Sequence, residues 1–506
     1  MSYLRHMSYR KILRESIMIM IQRSRHRYFQ LQFLSLLQFL SLRIPRLILC
    51  LASWFLISTQ QGNAAIIEIF PPPTASCDEQ FENIANALKP GDELVLHGGS
   101  YSQSCYRSIT VNGTAANPIT IRAAAGEKPV ITRPAASSQQ QNNIDITRSS
   151  YLIIRGLQFR GGDGGVRLIG GHHITIEDCE IFETLNNGLR ANTENADALI
   201  FRRNHIHHTG LNTTRATEGE GIYLGCHNGS CRVTNSIIEN NYIHHLRSTS
   251  GGGNDGIEVK FGSAGNIIRN NVIHDTNIGR QYPCIFVYGG GAAINLVEGN
   301  SVWNCGEGIY AVSDAIVRNN VIAHSVYGFS SYPHNAVPDM KNLTVVNNTI
   351  YGSSLECLLM HWDTVNNGVM ANNAVYCPGK TAVDATGLSR AGLTVRANYI
   401  EGTLLRGMTI DNVAFFSGGP AAAAFTDPNR LNFWPTATSV LLGKANVSVV
   451  ASEDFNGTPR AAPFDVGAYE RETDSTNPGW QIVAGFKTTG TPTTVPPAAP
   501  TNLAVR

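Results

Sequence analysis

The sequence predicts an all-β fold, a right-handed parallel β-helix (solenoid) of about ten or more coils with an N-terminal helical cap. The main observation is a repeat in which an Asn stands two residues before an Ile or Val. Each unit holds short β-branched runs separated by Gly and Asn, without long helical periodicity, which is typical of strands. The units recur every 20 to 37 residues, a length that favours a solenoid. The repeated residues are Asn204, Asn241, Asn271, Asn300, Asn320, Asn348, Asn373 and Asn398.

The column of Asn residues has a physical reason. In stacked coils, identical side chains lie one strand spacing apart, about 4.8 Å. An Asn amide both donates and accepts hydrogen bonds, so a stack of these amides satisfies itself inside a buried turn. Leu157 and Cys179 replace Asn in two earlier units. A leucine-rich repeat would need a leucine spacing that this chain lacks, and a propeller would need longer repeats.

The chain divides into three predicted parts. Residues 1–65 are a leader and signal peptide, because Arg43 and Arg46 precede an apolar run over 47–57 and then small residues. This run is too short for a stable membrane insertion, so we expect a secreted or cell-surface protein, extracellular or periplasmic. Residues 66–471 form the β-helix domain, with a capping helix over 81–88 and a less regular part, 404–471, expected to close the C-terminal end. Residues 472–506 are a Thr/Pro/Gly-rich linker whose last residues resemble the opening of a fibronectin type III module.

Cysteine usage agrees with export. Of ten cysteines, Cys50 lies in the predicted signal and nine remain. Adjacent coils bring Cα atoms within disulfide reach, although connectivity does not follow from sequence alone. Cys179 is left over and is expected to be a buried core thiol. The plausible pairs are Cys77–Cys105, Cys226–Cys231, Cys284–Cys305 and Cys357–Cys377.

The overall charge gives no support for a nucleic-acid partner. The chain has 39 basic and 38 acidic residues, a formal net charge of +1. This balance gives no argument for nucleic-acid binding. Only 15% of the residues are charged and 48 are glycines, as expected for a turn-rich β protein. We expect a monomer.

Three consecutive coils carry insertions at the same corner. These insertions cover 209–220, 246–255 and 276–283, where other coils have only a short connection. Long loops on one face of a solenoid usually build its binding face. Successive strand residues point to opposite sides, so inward Ile222, Ile257 and Ile285 imply outward neighbours. The outward or loop residues that we select as site candidates are Arg167, Arg190, Glu220, Tyr223, Asp255, Glu258, Lys260, Phe286 and Tyr288.

These candidates suit the chemistry of a uronate polymer, an acidic polysaccharide with an acidic C-5 hydrogen beside its carboxylate. Removing that hydrogen needs a base, and Lys260 serves if neighbouring cations lower its pKa. Calcium held by Glu220, Asp255 and Glu258 neutralises the substrate carboxylate. Tyr288 transfers the second proton. The remaining roles are substrate binding by Arg167, Arg190, Tyr223, Phe286 and Tyr288, with Arg190 also assisting catalysis.

Each candidate also has a purely structural interpretation. An outward Lys is commonly a solvated charge, and Glu258 with Lys260 could form a surface ion pair of little energy. The acids could be turn formers, and Arg190 could bond carboxylates of the next coil. The functional interpretation is favoured because the charges fall in the coils that carry the insertions.

The run Val259-Lys260 with Asn266-Ile267-Ile268-Arg269-Asn270-Asn271 resembles polysaccharide lyase family 6, the alginate lyases and chondroitinase B-like enzymes. The resemblance implies a β-helix lyase in which Lys260 is the base and Asp255 binds calcium. Two positions depart from the family: Gly253 replaces a second acid, and Tyr288-Gly289-Gly290 replaces an R-H-G run whose Arg assists catalysis. The run from Asp255 to Lys260 also resembles one in family 9 pectate lyases.

Three function classes remain open. The first is a secreted, calcium-dependent lyase that cleaves an acidic glycan by β-elimination. The second is a uronan C-5 epimerase or a glycoside hydrolase on the same fold, the hydrolase using two carboxyls. The third is a non-catalytic, glycan-binding or adhesin-like β-helix protein, which would tolerate loss of Lys260.

Overall fold

The structure is a computed structural model that describes residues 64–488, apart from 73–79, 103–104, 134–140, 214–217, 249–251, 277 and 279–281. The described residues belong to one compact unit. They form the predicted parallel β-helix, in which each coil passes through three ladders of parallel strands, here named ladders I, II and III. Ladders I and II have 13 or more strands each, so the expected ten or more coils are confirmed.

Ladder I forms one face of the solenoid. Its strands pair in register from coil to coil, for example Ile237 with Ile267 and Ile267 with Leu296. The strands are Ile66–Ile69, Glu93–Leu96, Ile119–Ala123, Ser150–Arg155, Gly171–Glu177, Ala196–Asp197, Ile200–Arg202, Val233–Thr234, Ile237–Glu239, Ile267–Arg269, Asn295–Glu298, Ala315–Arg318, Lys341–Val346, Asn366–Ala371 and Leu393–Arg396.

Ladder II follows the Asn column and holds the Ile or Val of each repeat. Its strands are Gly99–Ser102, Pro129–Arg133, Gln158–Gly161, Glu180–Phe182, His205–Thr209, Tyr242–Leu246, Val272–His274, Ser301–Trp303, Val321–Ala323, Thr349–Tyr351, the first part of Ala374–Thr386, Asn398–Leu404 and Phe415–Ser417.

Ladder III follows the corner at which the insertions occur. Its strands are Ser108–Ile109, Ile144–Thr147, Val166–Ile169, Leu189–Ala191, Ile222–Leu224, Ile257–Val259, Pro283–Val287, Glu307–Ala311, Tyr327–Ser331, Glu356–His361 and the second part of Ala374–Thr386. The inward aliphatic residues of the three ladders form one continuous core along the axis.

The Asn column forms the predicted hydrogen-bonded stack. From Asn204 to Asn398, each side-chain nitrogen donates to the side-chain oxygen of the next Asn at 2.9 to 3.1 Å. The same nitrogens also donate to core-facing carbonyls such as Val297 O. Cys179 lies buried at the N-terminal end of the stack, where its backbone N–H donates to Asn204 Oδ1. The column therefore satisfies buried turn groups that would otherwise lack partners.

We expect Asn320→Ala, in the middle of the stack, to lower the free energy of unfolding by about 2 to 4 kcal/mol. The substitution leaves the Asn300 amide and core-facing carbonyls without their partners, and each unpaired buried group costs about 1 to 3 kcal/mol. Denaturant unfolding measures the loss. Asn366→Ala, at an exposed strand position, is the control and should stay within about 0.5 kcal/mol. Equal effects of the two changes would contradict the role of the stack.

The expected N-terminal cap is present as the helix Gln80–Ala87. Phe81 and Ala85 are its buried residues and join the end of the core. This helix covers apolar surface that the first coils would otherwise expose.

The C-terminal part departs from expectation, because it does not simply close the end of the solenoid. It contains the helix Ala421–Ala424, the antiparallel strands Phe425–Asp427 and Asn432–Pro435, and the 3₁₀ turns Pro428–Arg430 and Val447–Val449. Its aromatic residues pack on the outer side of ladder II and form a second apolar cluster. The less regular sequence thus reflects packing along the side of the coils.

Residues 446–487, here named the returning segment, run back along the corner between ladders I and II. As the segment advances, it contacts the corner residues Asn372, Asn347, Asn319 and Asn270 in that order. These four Asn residues have φ between 54° and 58°, a left-handed conformation that Asn tolerates better than most residues. The segment ends with Lys487, which donates to the carbonyls of Gly299 and Phe455 at 2.8 and 2.7 Å. Part of the stretch expected as a linker, up to residue 487, therefore contacts the β-helix.

Three of the expected disulfides are present. They are Cys226–Cys231, Cys284–Cys305 and Cys357–Cys377, and the last two join adjacent coils with Cα atoms 5.6 and 6.0 Å apart. The fourth pair includes Cys77, which lies outside the described residues. Cys179 is a buried free thiol, as expected.

We expect reduction of the disulfides to destabilise the protein. Each of the two inter-coil bridges closes a loop of 20 or 21 residues, for which chain entropy gives about 3 kcal/mol. Thermal unfolding with and without a phosphine reductant measures the effect, and peptide mapping without reduction checks the pairing. Free thiols at Cys284, Cys305, Cys357 and Cys377 would reject the pairing.

The predicted leader and signal peptide, residues 1–65, fall almost wholly outside the described residues. Within the described ranges, no helix has the length and apolar character to cross a membrane.

Candidate active site

The three insertions lie side by side at the corner between ladders II and III, as their spacing predicts. In their described parts, Gly219 N donates to Gly253 O at 2.7 Å and Ser248 N to Ile278 O at 3.1 Å. The loops therefore stack on one another as the strands do. Together they form one wall beside the outer face of ladder III.

The register of ladder III confirms the predicted directions of the strand residues. Ile222, Ile257 and Ile285 are paired in successive coils and are fully buried in the core. The residue after each one forms a row on the outer face, here named the outer row. The outer row consists of Arg167, Arg190, Tyr223, Glu258, Phe286 and Tyr310.

Three carboxylates converge at the centre of this face. Glu220 lies at the end of the insertion 209–220, Asp255 at the end of the insertion 246–255, and Glu258 in the outer row. One oxygen of each lies within 4.8 Å of the others, and all three side chains are buried. Burial raises the pKa of Glu220 and of Asp255, and repulsion from Glu258 raises both further. Burial likewise raises the pKa of Glu258. A cluster of this kind is unstable as three bare anions.

The cluster has unused ligand atoms that fit a hard divalent cation. Asp255 Oδ1 and Glu258 Oε2 are buried and have no hydrogen-bond partner. Oxygen ligands from several carboxylates are what calcium prefers. Gly253 borders the same space, because a Cβ atom there would lie 2.6 Å from Asp255 Oδ2 and 3.0 Å from Glu220 Oε1. Because Gly253 has no side chain, it leaves space beside the carboxylates of Asp255 and Glu220. The three carboxylates therefore fit calcium.

Lys260 is the cation of this site. It is 8% exposed, and its Nζ forms an ion pair with Glu258. Nζ also lies 3.5 Å from the Tyr288 hydroxyl and 4.9 Å from the ring centroids of both Tyr223 and Tyr288. Burial alone would lower the pKa of Lys260, but Glu258 and the other neighbours raise it overall. The expected environment of neighbouring cations is thus replaced by a carboxylate partner, and Lys260 is protonated in this arrangement.

The two arginines extend the outer row but bind amides and a hydroxyl. The Arg190 guanidinium donates to Asn187 Oδ1 at 3.0 Å and to Asn142 Oδ1 at 2.7 Å. Arg167 donates to Asn192 Oδ1 at 3.2 Å. Burial lowers the pKa of Arg190, and repulsion from Arg167 lowers it further. The two cations lie next to each other, and Asp145, a buried acid paired with Arg167 on the preceding coil, offsets part of their charge. Their hydrogen bonds go to neutral groups, which leaves guanidinium charge for an anionic ligand.

Stacked aromatic rings form the opposite end of the row. Phe286 stacks on Tyr310 at 4.4 Å, Tyr310 on Tyr332 at 4.4 Å, and His334 lies edge-on to Tyr288 at 4.7 Å. The Tyr332 hydroxyl donates to Glu307 at 3.1 Å. Tyr310 could have been selected from sequence, because it follows the inward Ile309. Tyr332 and His334 lie beyond the alternating positions of their strand, where alternation assigns no direction.

The resulting surface runs from cations through buried acids and Lys260 to aromatic faces. It brings together the predicted Glu220, Tyr223, Asp255, Glu258, Lys260, Phe286 and Tyr288, with Arg167 and Arg190 on the preceding coils. Such a surface can hold an extended chain across the coils, with charged groups at one end and stacked rings at the other.

The family model of the right handed beta helix region matches residues 106–254 and 237–374 of this chain. Among solved structures, an alginate lyase from Paenibacillus sp. is 21% identical, with a TM-score of 0.44 over 55% of this chain and 93% of that chain. The A-module of the mannuronan C-5 epimerase AlgE6 from Azotobacter vinelandii is 17% identical, with a TM-score of 0.50 over 67% and 93%. A mannuronic acid specific polysaccharide family 6 lyase from human gut microbiota is 15% identical, with a TM-score of 0.45 over 69% and 90%. No curated protein matches the chain. These likenesses concern the fold.

Proposed function

Because the chain belongs to the right handed beta helix family, whose coils present side chains in rows, we propose that the outer face of ladder III is an active site. The proposed activity is cleavage of a uronate-containing polysaccharide by β-elimination. The observation that carries the proposal is Lys260, held between two tyrosine rings beside three buried carboxylates. The site lies where three consecutive insertions meet. A solvated surface lysine would not be enclosed in this way.

The reaction needs a proton acceptor for the C-5 hydrogen and a proton donor for the departing O4 oxygen. Lys260 Nζ takes the C-5 proton, the C4–C5 double bond forms, and the C4–O4 bond breaks. The Tyr288 hydroxyl lies 3.5 Å from Nζ and returns a proton to the departing oxygen. The ammonium of Lys260 then restores the proton of Tyr288, which leaves both residues as they began.

Lys260 must be neutral before it can act as a base. In the structure, Glu258 keeps it charged. Calcium bound by Glu220, Asp255 and Glu258 would neutralise the substrate carboxylate. It would also offset the negative charge of Glu258, which keeps Lys260 protonated. The charge balance supports this role, since three carboxylates face a single lysine.

The rest of the outer row positions the polymer. Arg167 and Arg190 bind uronate carboxylates on one side of the reacting bond. Tyr223, Phe286 and Tyr288 are nearly buried, and the exposed parts of their rings border the sugar rings on the other side. The three disulfides of the described residues support an extracellular location.

A panel of polymers tests the proposal. Alginate, pectate, glucuronan and chondroitin are incubated with the protein and calcium while ultraviolet absorbance is followed, because β-elimination leaves an unsaturated sugar. We expect absorbance to rise with one of these substrates. An epimerase would invert C-5 without shortening the chain, as seen by nuclear magnetic resonance of the polymer. Unchanged polymers throughout would overturn the proposal and favour a binding protein.

A glycoside hydrolase is the second candidate. The observation that favours it is the group of carboxylates with raised pKa and oxygens within 4.8 Å, since hydrolases pair a protonated acid with a second carboxyl group. New reducing ends without ultraviolet absorbance would identify this reaction.

A further inference from the structure

A cluster of histidines lies on the outer face of ladder II, on a different face from the candidate active site. His205 and His207 are separated by one residue on the strand His205–Thr209, so their side chains point to the same side. His244, on the next coil, is paired in register with His207. Glu180, on the preceding coil, is paired with His205. Three successive coils therefore bring three imidazoles and one carboxylate to one place.

The ring nitrogens converge closely. His205, His207 and His244 each offer one nitrogen, and these atoms lie within 4.8 Å of one another. His205 Nε2 is 2.8 Å from His244 Nε2. Glu180 Oε1 is 3.1 Å from His207 Nε2 and 3.5 Å from His205 Nδ1. The side chains of His205 and His207 are 29% and 14% exposed, so the cluster is open to solvent.

A further hydrogen bond orients one of these rings. His244 Nδ1 lies 2.6 Å from His245 Nδ1. This second nitrogen of His244 therefore has its own partner, which leaves Nε2 directed at His205.

We propose that His205, His207 and His244 form a binding site for a divalent transition-metal ion of the zinc type, with Glu180 orienting the His207 ring. Imidazole nitrogens suit zinc, whereas the oxygen-only cluster of the candidate active site suits calcium. The ring nitrogens of His205 and His244 separate slightly on binding, because tetrahedral ligands about 2.0 to 2.1 Å from zinc stand farther apart than 2.8 Å. The bound ion joins two coils on a face different from that of the candidate active site.

Zinc titration of the full chain, without a polyhistidine tag and after treatment with a chelator, tests the proposal. Excess calcium is present throughout so that the acid cluster is occupied. We expect one zinc per chain by calorimetry and metal analysis, and a rise in the temperature of unfolding by several degrees. Cobalt, used in place of zinc, should give the visible absorption of a four-coordinate nitrogen and oxygen site.

Variants locate the ion. His205→Gln with His244→Gln should weaken zinc binding at least tenfold, and Glu180→Gln, which keeps all the imidazoles, should weaken it less. The matched control is His172→Gln with His173→Gln, a neighbouring pair on ladder I whose Nδ1 atoms are 3.0 Å apart but which is not part of a candidate metal group. Circular dichroism verifies that each variant is folded. The proposal is overturned by absent zinc binding, by affinity unchanged in the His205 and His244 variant, or by loss of binding only when Glu220→Gln is introduced.

Discussion

Lys260→Arg is expected to lower the rate of polysaccharide cleavage by about 10² to 10⁴, the usual cost of a missing proton acceptor. Arginine keeps the positive charge opposite Glu258 but does not lose its proton in proteins. The stability of the protein should therefore change little. Lys260→Met removes the charge as well, leaving buried carboxylates without a partner, and should lower the free energy of unfolding by about 3 to 5 kcal/mol. Initial rates and thermal unfolding of both variants measure the two effects separately.

The control for these variants is Lys341→Arg, at an exposed position of ladder I. It should leave both the rate and the stability unchanged. Near-normal cleavage by Lys260→Arg, on a polymer that the parent protein cleaves, would make Lys260 an electrostatic residue only. Glu220 and Glu258 would then be the proposed catalytic residues, and the hydrolase would become the leading proposal.

Asp255→Asn is expected to raise stability without calcium and to reduce the gain in stability that calcium gives. Without the ion, removal of one of three buried and mutually repelling carboxylates should raise the temperature of unfolding. With calcium, the parent protein should gain about 2.7 kcal/mol at an ion concentration 100 times Kd, whereas the variant has lost a ligand and should gain less. Differential scanning calorimetry in chelator and in calcium gives both values, and activity should recover in part at higher calcium.

Glu472→Gln, an exposed acid outside the cluster, is the matched control and should respond to calcium as the parent protein does. If Asp255→Asn lowered stability in chelator, the carboxylate would have a structural partner that outweighs the repulsion. An undiminished response of Asp255→Asn to calcium would place the ion elsewhere.

The repeat was sufficient to predict the solenoid. The Asn column and the inward aliphatic residues recur from coil to coil, so their alignment fixes the register of neighbouring coils. The three insertions then fall at the same corner. This is why strand alternation alone places Tyr223, Glu258 and Phe286 on one row. The inter-coil disulfides Cys284–Cys305 and Cys357–Cys377 followed from the same register.

The environment of the site could not be predicted in the same way. Alternation gives the direction of Lys260 but not its burial, which depends on neighbouring aromatic rings and on loops of irregular conformation. The expected lowering of the Lys260 pKa is wrong, because the ion pair with Glu258, considered above only as a weak surface contact, is buried and raises that pKa. The path of the returning segment was also hidden, because its contacts with the corner residue Asn319 span more than 130 positions in the sequence.

The returning segment has a consequence for how the protein opens. In a solenoid whose coils touch only their neighbours, the free energy is a sum of local terms, and the ends can unravel one coil at a time. The segment bonds to Asn372, Asn347, Asn319 and Asn270, so coils that do not touch each other share one partner. Opening any of these coils requires release of the returning segment that they share. Amide hydrogen exchange at these four corners should therefore report a common free energy of opening in place of a gradient along the axis.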